Sequence, residues 1–248
     1  MNIRIHPAKI LMFLFLTTAF LLIINLAGIF TRIYTDNSYL EQFTLLFDFD
    51  YERNIPSFFS TILLFTSALL LLTLTMSIKE RGEHFYWMGL TAIFFFLTID
   101  EFASIHEELI PIVRNSLGTS GYLHFAWVIP YGVGVLVIGA IYLRHLLRLP
   151  AAVRNLLVIS AILYVGGALG FEMLGAKLAD HSGIKTLSYA MLYTIEESLE
   201  MLGISVFIFA LLKYLDVQNE AISLMIGKTQ PSQWRGEVVS GLMENTER

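Results

Sequence analysis

The chain has 248 residues, of which 56% are hydrophobic and 15% charged, and its formal net charge is −5. Soluble domains carry about 25% charged residues. This balance, with a mean hydropathy of +0.66, points to a membrane protein whose main partner is the lipid bilayer, and no segment is basic enough to bind nucleic acid. The chain has no cysteine, which removes disulfides, thiolate metal sites and cysteine nucleophiles together.

A membrane-spanning helix needs about 20 mostly apolar residues, and six segments qualify. The first covers residues 10–30. It is longer than a secretory signal core and no small-residue cleavage site follows, so it reads as an uncleaved span. The connection after it, TDNSYLEQFTLLFDFDYER, is acidic and aromatic, with Asp36, Glu41, Asp48, Asp50 and Glu52, and is expected to hold a short interfacial helix. The second span covers 58–76 and the third 85–99. The third is short, and its helix is expected to run on through SIHEEL until Pro111 stops it. The fourth covers 125–143, the fifth 156–175 and the sixth 189–212. The sequence predicts an all-α polytopic bundle of six transmembrane helices over residues 1–215. Residues 216–248 form a cytoplasmic tail of mixed composition, amphipathic around AISLMIG.

Lys and Arg set the orientation. Eleven fall on the side that holds both chain ends and five on the other. By the positive-inside rule both termini are cytoplasmic, in a multi-pass protein of the cell (inner) membrane.

Against this background the ionisable residues stand out. The third helix carries Asp100, Glu101, His106, Glu107 and Glu108 in TIDEFASIHEELIP; the fifth carries Glu172 in GALGFEMLGA; the sixth carries Glu196, Glu197 and Glu200 in YTIEESLEMLG. At 1.5 Å per residue, Asp100 lies about 22 Å along the third helix and Glu172 about 24 Å along the fifth, both in the outer half. Glu196 to Glu200 lie about 10–17 Å below the outer end of the sixth. Three helices therefore aim carboxylates at the outer third of the bundle. At about 100° per residue, Asp100, Glu101, Glu107 and Glu108 fan over one arc while His106 points elsewhere. Either His106 faces another helix or the helix breaks near it. Glu200 lies between Glu196 and Glu197, so those three can face one cavity.

One charge at mid-membrane costs about 2.5–3.5 kcal/mol on insertion scales, and adjacent carboxylates repel one another besides. Protonation, a wet cavity or a bound cation each relieves this. Arg114 and Lys177, the nearest outer bases in sequence, are too few to neutralise the acids, which favours a cation. Carboxylates with histidine form the ligand set of iron, manganese or zinc, and calcium also suits oxygen donors. The candidate metal ligands are Asp100, Glu101, His106, Glu107, Glu172, Glu196, Glu197 and Glu200, with Glu107 or Glu200 as candidate catalytic base. The Glu-x-x-His spacing of ferritin-like bundles is missing. His124 and His181 read as interfacial residues.

These features favour one or two divalent metal ions near the outer face, in a membrane metalloenzyme acting on a lipid-soluble small molecule. A proton- or cation-coupled transporter could use the same carboxylates. The sequence shows no half-to-half repeat and no helix pair broken by Gly or Pro to support it. A structural subunit is the third reading, and it leaves so many buried acids without a purpose.

The pair DEFASIHEE and EESLEMLG, with weaker support from FEMLGA, resembles motifs of a family of uncharacterised polytopic bacterial membrane proteins. The resemblance covers the third and sixth helices and implies no activity. Asp100, Ser104, His106, His124 and His181 supply the residue types of ceramidase-like and adiponectin-receptor-like hydrolases. The seven helices and His-x3-His element of those families are absent.

Overall fold

The computed structural model describes residues 2–3, 6–34, 38–78, 80–217 and 224–225. Six helical spans are long and apolar enough to cross a membrane. In chain order the helices are α1 (Pro7–Tyr34), α2 (Ser38–Leu45), α3 (Ile55–Ser77), α4 (Arg81–Ala103), α5 (Ile105–Leu117), α6 (Val128–Arg148), α7 (Ala151–Val165), α8 (Glu172–Ser182) and α9 (Leu187–Val217). A 3-10 turn at Gly121–Leu123 precedes α6, and a π-helical segment, Gly166–Phe171, joins α7 to α8 within one span, Ala151–Ser182. These helices belong to one compact unit, His6–Glu220. Separately, Asn2–Ile3 and Leu224–Met225 form a two-residue antiparallel ladder. Asp36 and most of the tail, including all of AISLMIG but Leu224 and Met225, lie outside the described residues, as does the Glu41 side chain.

The last helix forms the centre. α9, largely apolar apart from Glu196, Glu197 and Glu200, packs against α1, α3, α7, the π segment and α8, with Met201, Ala210 and Leu211 fully buried. Lipid is as apolar as leucine, so such helices associate through close packing and polar pairs rather than by excluding water. Gly203 shows the first. A Cβ at this position would lie 2.7 Å from the Tyr164 backbone nitrogen, so α7 and α9 meet backbone to backbone. Ser160 Oγ donates to the Gly203 carbonyl at 2.8 Å across the same contact. Elsewhere Asn25 Nδ2 donates to Thr194 Oγ1 at 2.9 Å between α1 and α9, and Thr75 and Thr91 pair at 3.1 Å between α3 and α4.

Short polar signals set the connections. Asn54 caps α3 by accepting from the Ser57 N–H, Ser57 Oγ reciprocates, and Pro56 fits the first turn. α2 supplies a short helix in the first connection, where one was expected.

Two spans depart from the continuous helices that the sequence suggested. The third does not run on to a stop at Pro111. α4 ends at Ala103, Ser104 adopts a left-handed conformation (φ 55°, ψ 41°), and α5 starts at once and passes through Pro111. A non-glycine residue pays for that conformation, on the order of 1–3 kcal/mol. The Asp100 side chain compensates by accepting the His106 N–H at 3.0 Å, a bond that a helix-capping side chain normally supplies. The fifth span widens at Gly166–Phe171, where the Glu172 N–H reaches the Gly167 carbonyl five residues back. Both interruptions lie beside acidic residues, so the broken helices missed in the sequence are present.

Gly203→Ala is expected to lower stability by about 1–3 kcal/mol, because the added methyl meets backbone. Gly139→Ala, whose Cβ would meet nothing within 4 Å, is expected to stay within about 0.5 kcal/mol of the parent. Thermal unfolding of both variants in one detergent checks the pair.

Candidate functional site: an acid-lined cavity

A cavity of about 990 Å³ opens between α4, α5, α6, α7, the π segment, α8 and α9. The break at Ser104 decides what faces it. Were α4 continuous, His106 would turn away from the acids. The left-handed residue bends the chain back, and His106 Nδ1 comes to 3.3 Å from Asp100 Oδ2. Asp100, only 5% exposed, also accepts the Tyr131 hydroxyl of α6 at 2.7 Å. The Trp127 ring lies 4.8 Å from the His106 ring, and Trp127 Nε1 donates to Glu172 Oε1 at 2.6 Å. Glu172 owes its direction to the π segment, which packs tightly on α9: a Cβ on Gly167 would lie 2.8 Å from the Glu196 carbonyl.

All eight sequence-selected ligands line this cavity. Asp100 and Glu101 come from the end of α4, His106 and Glu107 from α5, Glu172 from α8, and Glu196, Glu197 and Glu200 from one face of α9. Glu107 stands exposed at the rim, while Glu196 is buried. Glu108 is exposed and does not line the cavity. His124 turns instead to Asp180, with Nδ1 and Oδ1 3.0 Å apart. Arg114 and Lys177 are engaged elsewhere: Arg114 donates to the His124 carbonyl and Lys177 to the Tyr122 hydroxyl.

Sequence reasoning did not select Asp50 and Glu52 for this site. They belong to the acidic connection before α3, and both line the cavity. That stretch was expected only to hold a short interfacial helix, and polar anchors draw part of it inward. The Phe49 N–H donates to Asn25 Oδ1 at 3.1 Å, Arg32 of α1 pairs with Asp48, and the Tyr189 hydroxyl donates to Asp50 Oδ1 at 2.8 Å. Glu52 Oε1 then lies 4.0 Å from His106 Nε2. Tyr131, Trp127, Tyr164 and Tyr189 complete the polar wall.

Electrostatics at the mouth follows from burial and from the excess of negative charge. Burial, with the neighbouring Asp48 and Glu172 charges, pushes the Asp50 carboxyl up to about 7 against the Tyr189 hydrogen bond. Glu52 is raised by burial as well, in spite of the His106 charge beside it. For His106 burial lowers the pKa, but the hydrogen bond and charge of Asp100, with Glu52 and Glu101, outweigh it and bring the value to about 9.

Nine acidic side chains and one histidine line the cavity, and among the described residues no Lys or Arg does. The acids ring the wall rather than meeting at a point: among the described residues, no three His, Asp or Glu side chains converge closely enough to hold a metal ion.

A six-span helical membrane bundle around an acidic internal cavity is the class that fold and site define. Within it, the chain belongs to the family described as Domain of unknown function (DUF8692), whose model matches residues 12–215. A search of curated proteins and a search of solved structures each found no match.

The raised pKa of His106 gives a pH signature. The folded state holds this proton more tightly than the unfolded chain, whose histidine titrates near 6.5. Its contribution is complete below pH 6.5 and is lost as pH rises through about 9. Thermal stability is expected to fall across that window, and His106→Gln to flatten the fall. Melting curves at stepped pH test this, and an unchanged slope in the variant removes His106 as its source.

Proposed function

We propose that the cavity is a cation site at the outer end of the bundle, where one or two divalent metal ions serve a reaction on a lipid-soluble substrate. One observation carries this reading: nine acids and a single imidazole face one membrane cavity with no lysine or arginine on its wall. Buried carboxylates in that number must be protonated or neutralised. Carboxylate oxygens and one imidazole suit iron, manganese or zinc, and the oxygen-rich set also suits calcium. No three side chains converge, so waters complete the coordination in this reading. The metal would supply Lewis acidity or redox chemistry. Asp100 fixes the His106 ring through Nδ1, which leaves Nε2 toward Glu52 and the cavity. Glu200, on the cavity wall, is the better candidate base, because Glu107 is exposed at the rim. The Lys and Arg distribution supports an orientation with both ends cytoplasmic and the acids near the outer face.

Elemental analysis of detergent-purified protein tests the metal directly. Stoichiometric metal is expected in the parent and is expected to be lost in Glu101→Gln and Glu200→Gln, with helical content by circular dichroism showing that both variants fold. A parent that neither copurifies with nor rebinds metal ends this reading.

A second reading, a proton- or cation-coupled transporter, is favoured by the interruptions at Ser104 and Gly166–Phe171, since ion-coupled transporters place binding groups at broken helices. In proteoliposomes it requires ion-gradient-driven flux that Glu196→Gln lowers by about tenfold or more. Flux equal to that of empty vesicles rules it out.

A further inference from the structure

The acids occupy only one end of the cavity. Toward the other end the wall is apolar: Leu90 and Ile93 on α4, Ile138 on α6, and Ile204 on α9, with Phe94 and Phe207 stacked 4.4 Å apart. Leu90 precedes Asp100 by ten residues, so this limb extends about 15 Å along α4 from the acids. Half the hydrocarbon thickness of a bilayer is also about 15 Å. On α6 the limb is bordered by Gly134 and Gly139, and a Cβ built on either meets nothing within 4 Å. Helix interiors disfavour glycine unless the missing side chain leaves needed space, and here the space is open. Protein interiors otherwise pack to crystal-like density, whereas a volume of about 990 Å³ lies at the upper end of ligand sites.

We infer that the apolar limb holds the hydrocarbon chain of a single-chain lipid whose uncharged or positively charged head lies among the acids. The inference rests on the proposed function for its head-group end and names the substrate class of that site. The chain end rests on the shape and lining of the limb. Nine acids on the wall against one histidine, with no lysine or arginine among the described residues, repel a carboxylate or phosphate head. They accept hydrogen bonds from an alcohol, or pair with an amine. The stacked pair of Phe94 and Phe207 lines the limb part-way along the path of the chain.

The test uses the full-length protein in lipid nanodiscs and a pyrene-labelled hexadecanol, displaced in turn by hexadecanol, hexadecylamine and palmitate. Hexadecanol and hexadecylamine are expected to displace the probe, and palmitate to be at least roughly tenfold weaker. Gly134→Leu and Gly139→Leu add side chains where a Cβ meets nothing within 4 Å, and each is expected to weaken probe binding about tenfold or more while metal content stays at the parent value. Probe binding equal to the parent in both variants overturns the chain assignment, and palmitate competing as well as hexadecanol overturns the head-group assignment. Metal and probe are read separately. A parent without metal that binds the probe sinks the metal reading alone, and one with metal that ignores the probe sinks this one alone.

Discussion

The arrangement of the site depends on the Asp100 carboxylate. It accepts the His106 backbone N–H and the Tyr131 hydroxyl through one oxygen and faces the His106 ring through the other. A single buried side chain thereby ends α4, starts α5 and attaches α6. Everything beyond is reached through those bonds: Glu52 through the far nitrogen of His106, and Glu172 through Trp127, which packs on the His106 ring. Removing one member of such a buried set leaves the others desolvated and unpaired, which costs about 3–5 kcal/mol for a charged pair. The left-handed Ser104 is tolerated because the bonds on either side of it fix the chain.

The connection between α2 and α3 acts as part of the bundle rather than as a surface loop. Arg32 holds Asp48, Asn25 takes the Phe49 N–H, and Asn54 Nδ2 reaches back to the Asp48 carbonyl at 2.6 Å. Its backbone groups are satisfied by side chains of α1 and of the α3 cap, as backbone buried against a membrane bundle requires. Two further carboxylates, Asp50 and Glu52, reach the cavity mouth by this route.

The six spans were legible because twenty apolar residues can do little else, and the acids within them were legible because membrane burial penalises them. Glu172 and Glu196 to Glu200 were placed on one cavity by counting residues from the helix ends. What the sequence hid was local geometry. Nothing about Ser104 as a residue type announces a left-handed turn, since the bond that makes it tolerable runs from Asp100 to His106. Pro111 suggested a stop, yet inside α5 it removes only the bond to the Glu107 carbonyl. The π segment, GGALGF, carries no charge and lies within an apolar span, so no apolar count registers it. Asp50 and Glu52 were hidden because acids in a connection normally face away from a bundle, and only the anchors of Asn25, Arg32 and Tyr189 show that these line the cavity.

The π segment has a geometric consequence for α8. A π turn accommodates one residue more than the α-helix around it, and each residue of an α-helix turns the chain by about 100°. Losing a single residue between Gly166 and Phe171 restores ordinary helix and rotates all of α8 by that angle relative to α7. Glu172 would then leave Trp127, and Asp180 at the far end of α8 would leave His124 and the Gly121 N–H. The segment is thus a phase adjuster: one inserted residue sets the aim of a carboxylate in the cavity and, two turns further on, the docking of the opposite end of α8.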